Sequence, residues 1–119
     1  RISIEQYGFA VEPHPISSHD QSNFGYQMIK KSILEVFPDV AVIPGMMMGS
    51  TDSRWFVHLS KNIFRFSPAL ITTDDLSRIH GNNERISIDN YVNLVKFYYH
   101  LIYSSDSDSI KHHNLKDEL

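Results

Sequence analysis

Apolar and polar residues follow several different rhythms along this chain. Ile2, Ile4, Tyr7, Phe9 and Val11 alternate loosely, which predicts a strand and its exit over 1–11. Pro13 and Pro15 then bar a helix and keep the chain extended or turned. Ser17, Ser18 and Asp20 carry side chains suited to helix capping. Phe24, Met28, Ile29, Ile33, Val36 and Phe37 recur at helical spacing, predicting a helix over roughly 20–37 that Pro38 stops.

The run 40–48 is apolar, broken by Pro44-Gly45, and reads as a buried strand. Gly49 frees the backbone, and Ser50 or Thr51 can cap a helix reaching His58 or Leu59. Asn62-Ile63-Phe64-Arg65-Phe66 alternates like a strand that Ser67-Pro68 ends. Residues 69–86 read as loop. Ser87 then caps a last helix over 88–103, whose Ile88, Tyr91, Val92, Val95, Tyr98, Tyr99 and Ile102 form an apolar stripe. Asn90, Asn93, Lys96 and His100 fall largely on the other side. Beyond Tyr103 the composition turns to Ser, Asp, Lys and His, as in a flexible polar tail. Strand, helix, strand, helix, strand, loop, helix is an α/β order.

Composition narrows the possibilities. The 119 residues make one domain or a piece of one. Seven Phe, six Tyr and one Trp can fill a core, which excludes disorder for most of the chain. The formal net charge of −3 gives none of the basic footprint of a nucleic-acid binder. With no cysteine, disulfides and thiolate metal sites are excluded. No apolar run reaches the ~18–20 residues that span a bilayer. The first residue is Arg1 and no signal-peptide pattern follows, so further polypeptide is expected upstream.

Two places could carry chemistry. In Gly49-Ser50-Thr51-Asp52-Ser53-Arg54, a strand running into a glycine turn and a helix N-terminus would gather free N–H groups, and Arg54 would add a planar fork for a carboxylate or phosphate. An ordinary capped helix with a surface arginine fits the same pattern. His80 stands in a Gly/Asn loop before a helix, with Glu84 and Arg85 near it, and a neutral imidazole ligates zinc well. A loop histidine bonded to backbone fits equally. His14 and His19 flank a turn without further signal, His58 and His100 read as structural, and His112-His113 read as solvated.

Three separated motifs then occur in order: Thr51-Asp52-Ser53-Arg54, Leu59-Ser60-Lys61-Asn62-Ile63-Phe64-Arg65-Phe66-Ser67-Pro68, and Arg78-Ile79-His80-Gly81-Asn82-Asn83-Glu84-Arg85-Ile86-Ser87. Together they resemble the C-terminal part of the aminoacylase-type and carboxypeptidase S-type zinc peptidases. The segments Gly25-Tyr26-Gln27, Val36-Phe37-Pro38-Asp39-Val40 and Val95-Lys96-Phe97-Tyr98 match the branch that holds the N-fatty-acyl-amino-acid synthase/hydrolases. The resemblance covers about residues 1–103.

It implies a two-zinc catalytic α/β domain interrupted by a lid that often dimerises. Residues 1–12 would be the last lid strand and hinge, 13–103 the returning C-terminal part of the catalytic domain, and 104–119 the tail. His80 would be the final zinc ligand, Arg54 the clamp on the substrate's free carboxylate, and Asp52 a supporting acid in the same turn. Ser50 departs from the Asn or Gly of that branch, which bears on substrate positioning. The remaining zinc ligands and the general-base glutamate would lie upstream, so this fragment would be inactive alone. The intact enzyme would cleave or form the amide of an N-acyl amino acid, or a C-terminal peptide bond, zinc polarising the carbonyl and activating water. Loss of the upstream ligands would instead leave a non-catalytic luminal binding module.

The chain ends Lys116-Asp117-Glu118-Leu119, the form of an address for retention in the endoplasmic reticulum. Retention would require a signal peptide upstream. Secretion is the alternative.

Overall fold

The computed structural model describes residues 2–5, 7–8, 13–47, 49 and 51–114, with the side chains of 107–114 excepted. Its helices are α1 (Phe24–Val36), a 3₁₀ helix (Asp52–Phe56), α2 (Thr73–Leu76) and α3 (Ile88–Asn114).

Helix α1 forms where its spacing predicts, but its cap is Asn23. The Asn23 side chain accepts from the Tyr26 N–H at 2.9 Å. Ser18 and Asp20 build the turn before it instead, sharing a 2.8 Å hydrogen bond. The helix closes with the Phe37 N–H donating to the Ile33 carbonyl at 2.8 Å. Phe37 leaves the helical region at φ −131° and ψ 78°, since a residue before proline is disfavoured there.

Helices α1 and α3 pack against each other, and a connecting segment lies across them. Phe64 tilts against Tyr26 on α1, and Phe66 packs on Phe97 of α3 with ring centroids 5.1 Å apart. Gly25 makes room for this contact, because a Cβ there would stand 3.0 Å from the Phe64 ring. Side chains anchor the backbone of the segment. Ser17 Oγ accepts from the Ile63 N–H and donates to the Ile63 carbonyl, both at 2.7 Å. Ser18 N–H donates to Asn62 Oδ1 at 3.0 Å.

The described residues contain no β-ladder, so the predicted sheet is without support here. Residues 2–5 and 7–8 of the expected lid strand are exposed and take no strand conformation; the remainder of 1–12 lies outside the described residues, as do Met48, Ser50 and the terminal Lys116 to Leu119. Residues 40–47 and 62–66 also run without strand pairing. A strand needs a neighbour for its hydrogen bonds, and here side chains such as Ser17 occupy part of that role.

Helix α3 departs from prediction twice. Its N-terminus is as read, Ser87 Oγ accepting from the Asn90 N–H at 3.2 Å. Its predicted stripe, however, faces outward: Tyr99 is 63% exposed, Ile102 69% and Ile88 82%. Phe97 and Ser104 are buried instead, and Asn90, Asn93 and His100 are half-covered. The side read as polar is the one that meets the rest of the chain. Moreover the helix does not stop at Tyr103 but continues through Asn114, over residues read as a flexible tail. Burial of Ser104, and the Ser105 hydroxyl donating to the Leu101 carbonyl at 2.6 Å, carry the helix through the first polar positions. Elongation then costs less than initiation.

The core is small. Ile33 and Phe97 are its buried large apolar side chains among the described residues. The radius of gyration is 18.4 Å, against ~13.5 Å for a compact domain of this length. Met46, Ile43 and Leu70 are each at least 75% exposed.

Candidate functional site

The turn carrying Arg54 is built by short-range capping. Thr51 Oγ1 accepts from the Ser53 N–H at 3.2 Å, and the Thr51 carbonyl from the Arg54 N–H at 3.2 Å. The predicted helix is thus only the five-residue 3₁₀ turn Asp52–Phe56. That corrects the anion-site reading in one respect. Two of its backbone donors are already engaged, and so short a helix has little dipole to offer. What remains is the side chain of Arg54.

Arg54 is exposed and meets no carboxylate among the described residues. Its guanidinium lies over the Trp55 ring, 4.9 Å from the centroid. Such a cation–π contact holds the guanidinium beside the ring while leaving N–H groups for a ligand. Asp52, in the first turn of the 3₁₀ helix, is exposed and has no hydrogen-bond partner among the described residues. Beyond adjacency to Arg54, no local sequence pattern singles out Trp55.

Behind this turn stands Arg65. Its Nε donates to Ser53 Oγ at 2.7 Å, its Nη1 to the Gly49 carbonyl at 2.8 Å, and its Nη2 to His14 Nδ1 at 2.8 Å. His14, which carried no signal in the sequence, thus acquires a structural role. Arginine has no acceptor, so Nδ1 accepts and the imidazole proton sits on Nε2. Arg65, His14 and Gly49 border an open, largely apolar cleft of about 1140 Å³, lined by Ile29 and Ile33 of α1 and by residues from 40–47 and 61–70.

His80 is presented by a separate device. Thr72 and Asp75 form a reciprocal capping box on α2, and Arg78 pairs with Asp75. The Gly81 N–H then donates to the Arg78 carbonyl at 2.9 Å, closing the turn that contains His80. His80 has φ +58°, in the left-handed region. That region is uncommon outside glycine, and such outliers gather at ligand sites. The imidazole is exposed and without a hydrogen-bond partner among the described residues. Glu84 and Arg85 are exposed too. Asp75 itself is held at about 2 by the hydrogen bonds from Thr72 and the neighbouring Arg78.

No hydrogen bond, ion pair or ring contact joins His80 to the Arg54 turn among the described residues. Nor do three His, Asp or Glu side chains converge anywhere among them. The donors among the described residues therefore do not make up a metal cage by themselves. No helix among the described residues is long and apolar enough to cross a membrane.

Known proteins place the chain. Residues 1–104 match the model of peptidase family M20/M25/M40. The chain is 48% identical over 106 residues to the N-fatty-acyl-amino acid synthase/hydrolase PM20D1.1 of Danio rerio, covering 89% of this chain and 20% of that protein. It is 42% identical over 106 residues to "Probable carboxypeptidase S-like 2" of Dictyostelium discoideum, again 89% of this chain and 20% of the relative. Against the N-fatty-acyl-amino acid synthase/hydrolase PM20D1 of Homo sapiens the identity is 42% over 100 residues, 83% of this chain and 20% of the relative. The chain thus spans about a fifth of the length of these relatives. No solved structure matches it. By the match over 1–104, this chain belongs to peptidase family M20/M25/M40.

Proposed function

We propose that this chain is the part of an M20 hydrolase that grips the free carboxylate of an N-acyl amino acid or of a C-terminal peptide residue. The observation that carries this reading is Arg54: an exposed guanidinium, engaged by no carboxylate among the described residues and lying over the Trp55 ring. A bidentate pair with a carboxylate would fix the amino-acid half of the substrate and so the amide next to it. The reaction adds water across that amide to give a carboxylic acid and an amino acid, or runs in reverse to join them. The names of the relatives, which pair synthase with hydrolase on fatty-acyl amino acids, support this class.

His80 is the one metal ligand this chain contributes, the other ligands and the general base coming from polypeptide outside it. Its exposed imidazole, without a partner among the described residues and carried on a left-handed turn, supports that role. Zinc is the metal we propose, and Asp52 supports the carboxylate turn. Lys116 to Leu119 would retain the protein in the endoplasmic reticulum; equal secretion of intact protein with and without those four residues would refute it.

The decisive experiment is Arg54→Lys in the intact protein, assayed on an N-acyl amino acid and on its carboxamide. Lysine keeps the charge but loses the fork. The preference for acid over amide should fall sharply, with metal content unchanged. An unaltered preference would overturn the reading.

A further inference from the structure

Arg65 meets no carboxylate among the described residues. Among the described residues its partners are a hydroxyl, a backbone carbonyl and a neutral imidazole. Pairing with an acid would have been the usual route to holding a half-buried guanidinium. Instead, three N–H groups of one rigid plane reach two stretches far apart in sequence: His14 in one, Gly49 and Ser53 in the other. The plane fixes where those atoms stand relative to one another, which a flexible side chain could not do.

Two of the three anchors belong to the turn that leads into Arg54. Gly49 opens it, and Ser53 immediately precedes Arg54. Ser53 Oγ also shares a 2.7 Å hydrogen bond with Thr51 Oγ1, the atom that caps the 3₁₀ helix. A bond at Ser53 therefore bears on the cap as well as on the turn. The third anchor, His14, ties the same plane to the Pro13–Pro15 segment, which also lines the cleft.

We propose that Arg65 is a positioning residue for the substrate carboxylate: by holding Gly49 and Ser53 it sets where the Arg54 guanidinium stands. The proposal rests on the reading of Arg54 as the carboxylate clamp. Arg65 touches no substrate in this scheme; it acts through the turn. A displacement of about 1 Å in a binding group can cost on the order of 100-fold in rate. An ammonium at position 65 can replace at most one or two of the three bonds and cannot hold them in a plane.

The test uses the intact protein with four variants: Arg65→Lys, Ser53→Ala, the two together, and Arg54→Lys. Each is assayed on an N-acyl amino acid and on its carboxamide, with metal content and thermal unfolding measured alongside. Arg65→Lys should raise KM for the acid by roughly 10- to 100-fold and leave the kinetics of the amide unchanged. Ser53→Ala should act in the same direction but less. The double variant should be no worse than Arg65→Lys alone, because both changes remove one linkage. A structural role alone would lower activity on acid and amide together. If Arg54→Lys abolishes the acid preference while Arg65→Lys keeps it, the clamp stands and the positioning role is overturned. If Arg54→Lys keeps the preference, the clamp itself is wrong and the positioning role falls with it. Should Arg65→Lys fail to fold, Ser53→Ala decides, and an unchanged acid preference there overturns the proposal.

Discussion

The Asn90 carboxamide brackets Leu70 from both sides: its Oδ1 accepts from the Leu70 N–H at 3.1 Å and its Nδ2 donates to the Leu70 carbonyl at 2.9 Å. One side chain thus does for Leu70 what a neighbouring strand would do. It also ties the end of the 62–70 segment to the first turn of α3, whose own cap is Ser87. With Ser17 bonded to Ile63, the segment that backs the Arg54 turn is pinned at both ends.

Removing this bracket gives the first expected outcome. Asn90→Ala in the intact protein should destabilise by about 1 kcal/mol, the usual net worth of such hydrogen bonds at an accessible site. The Leu70 amide should exchange its hydrogen faster, while amides in the middle of α3 keep their protection. Asn90→Asp retains the acceptor but not the donor and should fall between. Unchanged exchange at Leu70 in Asn90→Ala would show that the bracket does not hold the segment.

What the sequence made legible follows from the range of each interaction. Helix α1, its stop at Pro38, the Ser87 cap and the turn at Thr51 are set by residues within a few positions of each other, and all were readable. The buried face of α3 was not. Ile88, Tyr91, Val95, Tyr99 and Ile102 form an unbroken stripe, but what covers a helix is decided by its neighbours, and α1 with Phe66 meets the face around Phe97. The strands were unreadable for a similar reason, since apolar alternation shows that a segment could pair and not that a partner is present. In the site, Arg54 and His80 stood out by residue type. Arg65 did not, because its anchor His14 lies 51 residues away. No local pattern encodes that distance.

His80 carries the second outcome. His80→Ala in the intact protein should deplete bound metal and lower activity by more than the ~10–100-fold that outer-shell partners of a ligand are worth. His58→Ala serves as control: His58 is exposed in the turn after the 3₁₀ helix, and its loss should leave metal content unchanged. Full metal occupancy with normal turnover in His80→Ala would remove His80 from the site.

The α2 cap gives a pH dependence whose sign can be worked out. Hydrogen bonds from the Thr72 backbone and side chain, with Arg78 adjoining, lower the Asp75 pKa from 3.8 to about 2. A depressed value in the folded state means that the ionised carboxylate stabilises this turn. Its contribution is whole above pH 3.8 and is lost as pH falls from there through about 2. A carboxyl resonance of Asp75 titrating at about 2, together with the Thr72 amide shift, would report it. In Asp75→Asn the acid-dependent change of the Thr72 amide in this window should vanish. Titration of Asp75 at 3.8 or above would mean that the capping box does not persist in solution.

The last outcome concerns residues 1–119 expressed alone. Ile33 and Phe97 make up the buried large apolar core among the described residues, whereas Ile43, Met46, Leu70, Ile88 and Ile102 are each more than two-thirds exposed. Buried apolar area is the main favourable term in folding, and here little of it offsets the ordering of the chain. The cleft of about 1140 Å³ is larger than the ~300–1000 Å³ of most ligand pockets and is walled by unpaired segments. Its apolar lining lies open to solvent in this chain. The exposed stripe of α3 would likewise lack cover, and an isolated helix depends on packing for most of its stability. Residues 1–119 should therefore associate or unfold without a sharp transition, and bind zinc weakly if at all. Size exclusion and thermal unfolding followed by circular dichroism would measure this. A monomer with a cooperative transition would mean that α1, α3 and the 62–70 segment suffice as a folding unit, and that the exposed faces are true surface.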